Sequence, residues 1–165
     1  MDDAAGVFEG VEVGETGKGR FQVEVRAGGT QFLADEPVEA GGLGSGPTPY
    51  DLIGSALGAC TAMTLRLYAE RKHWPLRRAL VRVLHRKDPA DARDRFAREI
   101  VLEGDLSAEQ KRRLLEIANR CPVHRTLEGG SHIVTVLAEA PLEGRLDPAP
   151  MDHVCEMEAV CEAAG

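Results

Sequence analysis

Hydrophobic and polar residues alternate along the first part of the chain with the period of two that a half-buried strand requires. The alternation covers residues 11–13, 21–25 and 30–34, and Gly28 and Gly29 supply a turn before the last of these segments. Short alternating runs that are joined by turns favour antiparallel pairing. The pattern therefore predicts a three-stranded antiparallel sheet at the start of the chain.

The period changes to that of a helix after a loop rich in glycine and proline at residues 40–49. Thr48 is placed as an N-cap, with Pro49 at the first helical position and Asp51 as the acidic member of a capping box. The helix is expected to end before Pro75, after about 26 residues. Apolar residues at helical spacing form one predicted buried stripe: Leu52, Ala56, Cys60, Met63 and Leu67.

Two glycines, Gly54 and Gly58, lie one turn apart inside this predicted helix. Glycine lowers helix propensity relative to alanine, so its presence in a helix interior calls for a packing reason. We expect another stretch of backbone to approach the helix closely at this level. A helix of this length in so small a domain is also expected to be central.

Further alternating segments predict two strands, at residues 79–86 and 96–103. Ser107 and Gln110 have the spacing of a capping box and predict the start of a second helix, which the Cys121-Pro122 pair is expected to end. The predicted buried face of that helix consists of Leu114, Ile117, Ala118 and Cys121.

The end of the chain is predicted to hold one more strand, at residues 132–139, and then an irregular segment at 141–150. A short helix is predicted at residues 151–163. We interpret residues 1–140 as a single domain and residues 141–165 as a C-terminal tail, since 165 residues suffice for one compact domain.

Charge and composition narrow the class of protein. The net charge is −7, with 20 Lys and Arg against 27 Asp and Glu, so nucleic acid is not expected as a partner. The apolar runs are far shorter than the roughly 20 residues that span a bilayer, and the acidic start lacks the features of a signal peptide. We expect a cytoplasmic protein without a membrane partner. Aromatic residues make up only 4%, so the core must consist of aliphatic side chains.

Four cysteines supply the candidate chemistry. Cys60 lies within the predicted apolar stripe, where a thiol is often inert packing. Cys121 directly precedes a proline, and unpaired amides of a following turn stabilise a thiolate at such a position. His124 and Arg125 could add positive potential there, or they could be ordinary solvated residues.

The other two cysteines lie in the segment DHVCEMEAVC. It offers Asp152, His153, Cys155, Glu158 and Cys161, which include residue types that bind zinc. Cys155 and Cys161 are six positions apart, so one helix does not direct both at one ion. We therefore predict an amphipathic tail helix and no metal or other cofactor, and leave open a redox partnership between this tail and Cys60. His73, His85 and His132 are isolated and are expected to be structural or solvated.

Two separated motifs carry a resemblance to a known family. The stretch GPTPYDLIGSALGACTAMTLRLYAERKHWPL at residues 46–76 and the stretch ANRCPVHRTLEG at residues 118–129 resemble the two cysteine-bearing segments of the OsmC/Ohr family of thiol peroxidases. The predicted order of elements also resembles that family over residues 11–139. The resemblance implies an α+β fold in which antiparallel sheets wrap around long central helices, in an intertwined homodimer.

The resemblance also implies an activity, the reduction of organic hydroperoxides by two cysteines. By match to the family motifs, Cys60 would be the peroxidatic nucleophile and Cys121 the resolving thiol. A thiolate that cleaves an O–O bond becomes a sulfenic acid, and a second thiol condenses with it to a disulfide. An external thiol reductant must then open that disulfide, and a dithiol, a lipoyl protein or a glutaredoxin-like protein are the expected donors.

The sequence departs from the family in the partners of the nucleophile. Family members of the typical kind place an arginine and a glutamate beside the thiolate, with the glutamate ten residues before the cysteine, and Tyr50 occupies that position here. Asp51 is the nearest carboxylate. Arg20 is the first candidate for the cationic partner and Arg125 is the second.

Two other functions remain open from the sequence. The fold could be a dimeric binding module for a small apolar ligand, with both thiols buried and inert. It could also be a thiol–disulfide exchange protein that acts on other proteins. Slow labelling of Cys60 without peroxide consumption would favour the first, and disulfide reductase activity without a preference for peroxides would favour the second.

Overall fold

A computed structural model describes residues 10–87, 89–91, 93–137 and 153–165 of the chain. The described residues form two compact units. The first unit is the described part of Met1–Asp51 and Ile133–Pro150, and the second is that of Leu52–His132 and Met151–Gly165. The division at 140 between a single domain and a tail stays a prediction. The predicted irregular segment at 141–150 lies outside the described residues.

The first unit contains the predicted antiparallel meander. Strands β1 (Val11–Glu15), β2 (Val23–Ala27) and β3 (Thr30–Ala34) pair in the order β1-β2-β3. Gly28 and Gly29, at φ 53° and 73°, form the tight turn between β2 and β3, in backbone conformations that favour glycine. The prediction of three antiparallel strands is confirmed.

The glycine-rich segment after the sheet is an ordered loop organised by a buried carboxylate. Asp35 Oδ2 accepts hydrogen bonds from the Ser45 hydroxyl at 2.7 Å and from the Leu43 amide at 3.0 Å. Burial raises the pKa of Asp35, but its hydrogen bonds outweigh burial and hold that pKa below the usual value. A Cβ on Gly46 would lie 2.0 Å from the Leu33 carbonyl oxygen, so only glycine fits there.

Helix α1 spans Pro49–Arg71, 23 residues, and begins where the sequence predicts. Thr48 and Asp51 form the expected capping pair: the Asp51 amide donates to Thr48 Oγ1 at 3.2 Å, and the Thr48 hydroxyl donates to Asp51 Oδ2 at 2.7 Å. The helix is three residues shorter than expected, because His73 turns the chain at φ 53° before Pro75.

The predicted apolar stripe of α1 is confirmed at Cys60, which is buried, and in part at Leu52 and Leu67, which are half-buried, Leu67 against the core. It is wrong at the other two positions. Met63 is 53% exposed and Ala56 is also exposed. The buried residues of α1 are instead Leu57, Cys60, Thr61, Thr64, Leu65, Tyr68 and Ala69. Thr61 and Thr64 can be buried because their hydroxyls donate to the backbone carbonyls four residues earlier, at 2.6 and 2.8 Å. Two polar residues with satisfied hydroxyls therefore lie on the core face.

Among the described residues, α1 is long and apolar enough by length and composition to cross a membrane. The core helix of a soluble protein meets the same criteria. The expectations of a cytoplasmic protein and of no membrane partner therefore stay predictions.

The second unit contains a two-stranded sheet and three further helices. Strands β4 (Leu76–Lys87) and β5 (Asp94–Gly104) are antiparallel and longer than the predicted segments. Helix α2 spans Ala108–Ala118 and starts with the predicted capping box, in which the Gln110 amide donates to Ser107 Oγ at 3.1 Å. Helix α4 spans His153–Ala163 and confirms the predicted C-terminal helix.

Two predictions for this part of the chain are wrong. Cys121-Pro122 does not end α2, which stops at Ala118, but starts a separate helix α3 at Pro122–Gly129, since proline is well suited to a first helical position. The described part of the predicted strand at 132–139 is not a strand. Its side chains have no partner strand in the described chain and are exposed: Ile133, Val134, Val136 and Leu137.

The main core of the second unit joins α1, α2 and α4. Its fully buried members include Leu65, Tyr68, Leu114, Ile117 and Cys161. The predicted buried residues Leu114, Ile117 and Ala118 of α2 are confirmed. Antiparallel sheets and helices thus make an α+β fold, as the sequence predicts. The intertwined homodimer stays a prediction.

The two glycines in α1 face side chains and not a second backbone, contrary to the sequence-based expectation. A Cβ on Gly54 would lie 3.6 Å from Val83 Cγ1, and a Cβ on Gly58 would lie 3.6 Å from Val83 Cγ2. Both distances are ordinary van der Waals contacts. The site has room for alanine at either position.

We therefore expect Gly54→Ala and Gly58→Ala each to stabilise the protein by about 0.5–1 kcal/mol, because alanine has the higher helix propensity. Thermal or urea unfolding measures the effect. Gly104→Ala is the matched control, because a Cβ there would lie 2.0 Å from the Pro75 carbonyl oxygen at φ 142°. Gly104→Ala should lower stability. Lower stability of Gly54→Ala would show that the β4 strand cannot accommodate the added methyl group.

Candidate active site

Cys60 and Cys121 lie together in the second unit. Cys60 is 2% exposed in the middle of α1, and Cys121 is fully buried as the N-cap of α3. Both thiols are free. They form one apolar cluster with Leu57, against which Val83, Phe96 and Val123 pack. Two thiols that are 61 positions apart in the sequence are thus brought into one apolar pocket.

The start of helix α3 directs backbone amides at both sulfurs. The Val123 amide donates to Cys60 Sγ at 3.4 Å, and the His124 amide hydrogen-bonds Cys121. Thr61 Oγ1 lies 3.6 Å from Cys121 Sγ. Unpaired amides at a helix start and the positive end of the helix dipole both favour a thiolate over a thiol. The turn predicted to stabilise a thiolate after Cys121 is therefore present, as the first turn of a helix.

Arg98 on β5 supplies a cation beside Cys121. Its guanidinium donates to Thr61 Oγ1 at 2.8 Å and approaches Cys121 Sγ at 4.0 Å. It also donates to the Ala118 carbonyl oxygen at 2.9 Å and to Asn119 Oδ1 at 2.8 Å. The planar guanidinium carries several donors in a fixed arrangement, so it can hold all of these acceptors at once.

Arg98 also fixes the orientation of His124. Nη2 of Arg98 lies 3.0 Å from His124 Nδ1, and since a guanidinium only donates, Nδ1 must accept. His124 then carries its proton on Nε2, which lies 3.3 Å from a carboxylate oxygen of Glu128. His124 thus contacts Arg98 as an acceptor, and a contribution of its own to the positive potential beside Cys121 stays a prediction.

Sequence reasoning missed Arg98, although the sequence carries a signal for it. Phe96, Arg98 and Ile100 alternate along β5, so the arginine lies on the same half-buried face as its two apolar neighbours. A charged residue at an apolar-face position of a strand requires partners, and the cluster around Cys121 provides them.

The two thiols have opposite pKa shifts. The Cys60 thiol donates a hydrogen bond to Cys121 and lowers the pKa of Cys121 to about 5, with further stabilisation from the His124 amide, Thr61 and Arg98 outweighing burial. The same hydrogen bond, together with burial, raises the pKa of Cys60. The contact between the two sulfurs thus favours the thiol form of Cys60 and the thiolate form of Cys121.

His153 is the second residue that sequence reasoning did not place in the site. Its Nε2 lies 3.1 Å from Cys60 Sγ. From the sequence, His153 is a metal-ligand candidate with Cys155 and Cys161, and the partnership left open between the tail and Cys60 is one between thiols. Cys155 is exposed and Cys161 is buried, and the described residues contain no group of three or more His, Cys, Asp or Glu side chains that could hold a metal ion. Asp152 lies outside the described residues.

The remaining candidates have other local partners. Arg20 is exposed in the first unit, and its guanidinium lies over the Phe21 ring at 5.0 Å. Asp51, also in the first unit, has its carboxylate bonded by Thr48, and this hydrogen bonding lowers the pKa of Asp51. Arg125 is exposed on α3. The pairing of Arg20 or Asp51 with Cys60 stays a prediction.

An α+β fold with one cysteine inside a long helix and a second at a Cys-Pro helix start agrees with the order of elements that the sequence shares with the OsmC/Ohr family. The family model described as OsmC-like protein matches residues 42–136, and the chain belongs to this family. The matched region contains Cys60, Arg98 and Cys121, whereas His153 lies beyond it.

Solved structures share this fold. The OsmC-like protein of Mycoplasma pneumoniae has a TM-score of 0.62 at 19% identity, covering 73% of this chain and 87% of that chain. The organic hydroperoxide resistance protein OhrB of Bacillus subtilis has a TM-score of 0.53 at 22% identity, with 73% and 90% covered. The organic hydroperoxide resistance protein OsmC of Legionella pneumophila has a TM-score of 0.55 at 21% identity, with 72% and 88% covered. No curated protein matches the chain.

Proposed function

We propose that this protein is a two-cysteine peroxidase that reduces organic hydroperoxides to alcohols, with Cys60 as the attacking sulfur and Cys121 as the resolving sulfur. The observation that carries the proposal is that Cys60 and Cys121 lie together in one buried apolar cluster, with the Arg98 guanidinium 4.0 Å from Cys121 Sγ. The names of the structural neighbours as organic hydroperoxide resistance proteins support the substrate class.

The reaction proceeds in two balanced steps at the cysteines. The sulfur of Cys60 attacks the terminal oxygen of ROOH, the O–O bond breaks, and Cys60–SH and ROOH become Cys60–SOH and ROH. Cys121 then attacks the Cys60 sulfur, and the two residues become a disulfide with release of water. Sulfur is oxidised by two electrons, and the peroxide is reduced by the same two.

The residues around Cys60 favour an organic peroxide over hydrogen peroxide. Leu57, Val83, Phe96 and Val123 provide apolar contacts beside the sulfurs. An alkyl or aryl group of the substrate gains by leaving water for such surroundings, and hydrogen peroxide has no such group.

The test is the reaction of the reduced protein with one equivalent of cumene hydroperoxide, followed by intact mass and peptide mapping. We expect a loss of two hydrogens and a disulfide that joins Cys60 to Cys121. Cys155→Ser serves as the control, because Cys155 is exposed and should take no part. Four unreacted thiols would overturn the proposal and favour a binding module with inert cysteines.

The disulfide must be reduced again by an external thiol. Because the reductant has to reach a buried pair, we propose a dithiol, a lipoyl protein or a glutaredoxin-like protein as donor, in the reducing environment of the cytoplasm. The rate of peroxide turnover, measured with each candidate donor in turn as the only reductant, identifies the donor.

We further propose that the protein acts as a homodimer. Leu80, Leu84 and Val101 lie on the face of the β4-β5 sheet opposite Val81 and Val83 and are between 38 and 55% exposed. Arg82 and Glu99 pair at 3.1 Å on the same face. An apolar face with an internal ion pair suits burial against a second copy.

We expect Val101→Glu to convert the dimer into a monomer, because it would bury an unpaired charge in the interface. Light scattering after size exclusion measures the mass. Glu109→Gln on the exposed side of α2 should leave the dimer unchanged. A monomeric unmodified protein would contradict the prediction.

A further inference from the structure

Helix α4 lies outside the region that the family model matches, which ends at residue 136, yet it brings a side chain to the site. The helix is anchored by buried residues at helical spacing: Met157, Val160, Cys161 and, just after its end, Ala164. The half-buried His153 lies four positions before Met157 on the same face. Met157, Val160 and Cys161 belong to α4 and are buried. His153 is the first residue of the helix on this face.

Polar contacts fix the far end of α4. Arg71 Nη2 on α1 lies 3.3 Å from Glu162 Oε1, and the Arg113 guanidinium on α2 donates to the Ala164 carbonyl oxygen. Lys72 Nζ donates to the carbonyl oxygen of Gly165. The packing of its buried face and the hydrogen bonds at its C-terminal end fix the position of α4. They place the side chain of its first residue, His153, beside the Cys60 sulfur.

The Cys60 sulfur has two basic neighbours for its one hydrogen. One is Cys121 Sγ, which accepts that hydrogen in the reduced pair. The other is His153 Nε2, 3.1 Å from Cys60 Sγ. Arg98 and the amide of His124 stabilise the negative charge of Cys121, so Cys121 has little tendency to take the proton. A neutral imidazole is the stronger candidate for the base.

We propose that His153 is the acid–base catalyst for Cys60, which takes the thiol proton during attack and returns it to the departing alkoxide. The inference rests on the proposed peroxidase function. As sulfur attacks the terminal oxygen of ROOH, the proton moves from Cys60 Sγ to His153 Nε2 and the O–O bond breaks. The alkoxide RO⁻ then takes that proton and becomes ROH. Cys60 ends as a sulfenic acid and His153 ends neutral, so atoms and electrons balance.

Two measurements on His153→Gln test the role. The first is the rate at which iodoacetamide labels Cys60, resolved from the other cysteines by peptide mapping. The second is the rate of disulfide formation with one equivalent of cumene hydroperoxide. We expect both rates to fall by about 100-fold, the lower end of general acid–base contributions, because the glutamine amide keeps a polar contact but cannot take up and return a proton. His132→Gln, which removes an exposed imidazole, should react at the unmodified rate.

His153→Ala adds a readout that a structural role would not produce. It removes the ring and leaves a space beside Cys60, so added imidazole should restore a large part of the lost rate at Cys60. The same imidazole should leave the unmodified protein and His132→Gln unchanged. Thermal unfolding of each variant shows whether it is folded before the rates are compared.

The outcomes separate this inference from the proposed function. Slow reaction of folded His153→Gln together with imidazole rescue of His153→Ala supports it. Unmodified rates in His153→Gln, or slow rates that imidazole does not change, overturn it. If the unmodified protein forms no Cys60–Cys121 disulfide with peroxide, the peroxidase proposal fails, and the labelling rates of Cys60 still decide whether His153 takes its proton.

Discussion

A Cys60→Ser protein should consume organic hydroperoxide no faster than the uncatalysed reaction, whereas Cys121→Ser should complete one turnover and stop. A serine hydroxyl at position 60 cannot form a sulfenic acid, so the first step is lost. Serine at position 121 leaves that step intact but provides no thiol to condense with Cys60–SOH. Peroxide consumed per equivalent of pre-reduced protein, measured without added thiol, distinguishes the two variants, and mass analysis of Cys121→Ser should find one added oxygen on Cys60.

The control for this pair of variants is Cys155→Ser, which should keep full turnover because Cys155 is exposed on α4. Full turnover of Cys60→Ser would contradict the proposed mechanism. Single-turnover arrest in Cys60→Ser, with no peroxide consumption by Cys121→Ser, would instead reverse the roles of the two sulfurs.

Arg98→Met should raise the pKa of Cys121 and slow its reaction with iodoacetamide near neutral pH. The hydrogen bond from Cys60 is the largest cause of the lowered pKa of about 5, and the Arg98 guanidinium, 4.0 Å from Cys121 Sγ, lowers it further. The pH at which Cys121 labelling reaches half its maximum should therefore shift upward. For Arg98→Lys, we expect a midpoint pH between those of the unmodified protein and Arg98→Met. Lysine keeps the positive charge, but one ammonium cannot bond Thr61, Asn119 and the Ala118 carbonyl oxygen together.

Arg125→Met is the matched control, since Arg125 is exposed on α3 only four residues from Cys121. It should leave the pH profile of Cys121 labelling unchanged. An unchanged profile in Arg98→Met would show that the amides of α3 and Cys60 suffice to hold the thiolate.

The same arrangement gives stability a pH dependence. The pKa of Cys121 is about 5 in the folded protein against a usual value of 9.0, so the folded state gains from ionisation that the unfolded state lacks at neutral pH. This contribution is complete above about pH 9 and is lost as pH falls through about 5. The free energy of unfolding, measured in urea, should therefore decline between about pH 9 and pH 5. In Arg98→Met the decline should cover a narrower range of pH, because the folded pKa of Cys121 is higher.

Local signals in the sequence predicted those elements that are specified by a few neighbouring residues. Thr48 with Asp51 and Ser107 with Gln110 place two helix starts, because each pair satisfies amides within one turn. Gly28 and Gly29 place a hairpin turn in the same way. The two cysteine motifs placed both candidate thiols.

Features that depend on distant packing were not predicted. The core face of α1 includes Thr61, whose polar side chain gives no apolar signal although its hydroxyl is satisfied within the helix. Arg98 reaches Cys121 from a strand, and His153 reaches Cys60 from a helix 93 positions away. Sequence spacing does not report such contacts, because they depend on how α1, β5 and α4 pack.

The alternation of apolar and polar residues also predicted one strand, at residues 132–139, whose described part is not a strand. Residues 133–137 have the apolar content of a strand, but the described chain offers them no hydrogen-bonding partner. A strand is a property of a pair of segments, and a pattern within one segment cannot supply the second. The proline of Cys121-Pro122 was similarly read as a stop when it is equally suited to a start.

The unequal stabilisation of the two sulfurs sets the direction of the reductive half of the proposed cycle. When a donor thiolate opens a disulfide, the sulfur with the lower pKa is the better leaving group. Arg98 and the start of α3 make Cys121 that sulfur. We therefore expect the donor to attack Cys60 and form its mixed disulfide there, while Cys121 departs as a thiolate stabilised by Arg98 and the α3 amides.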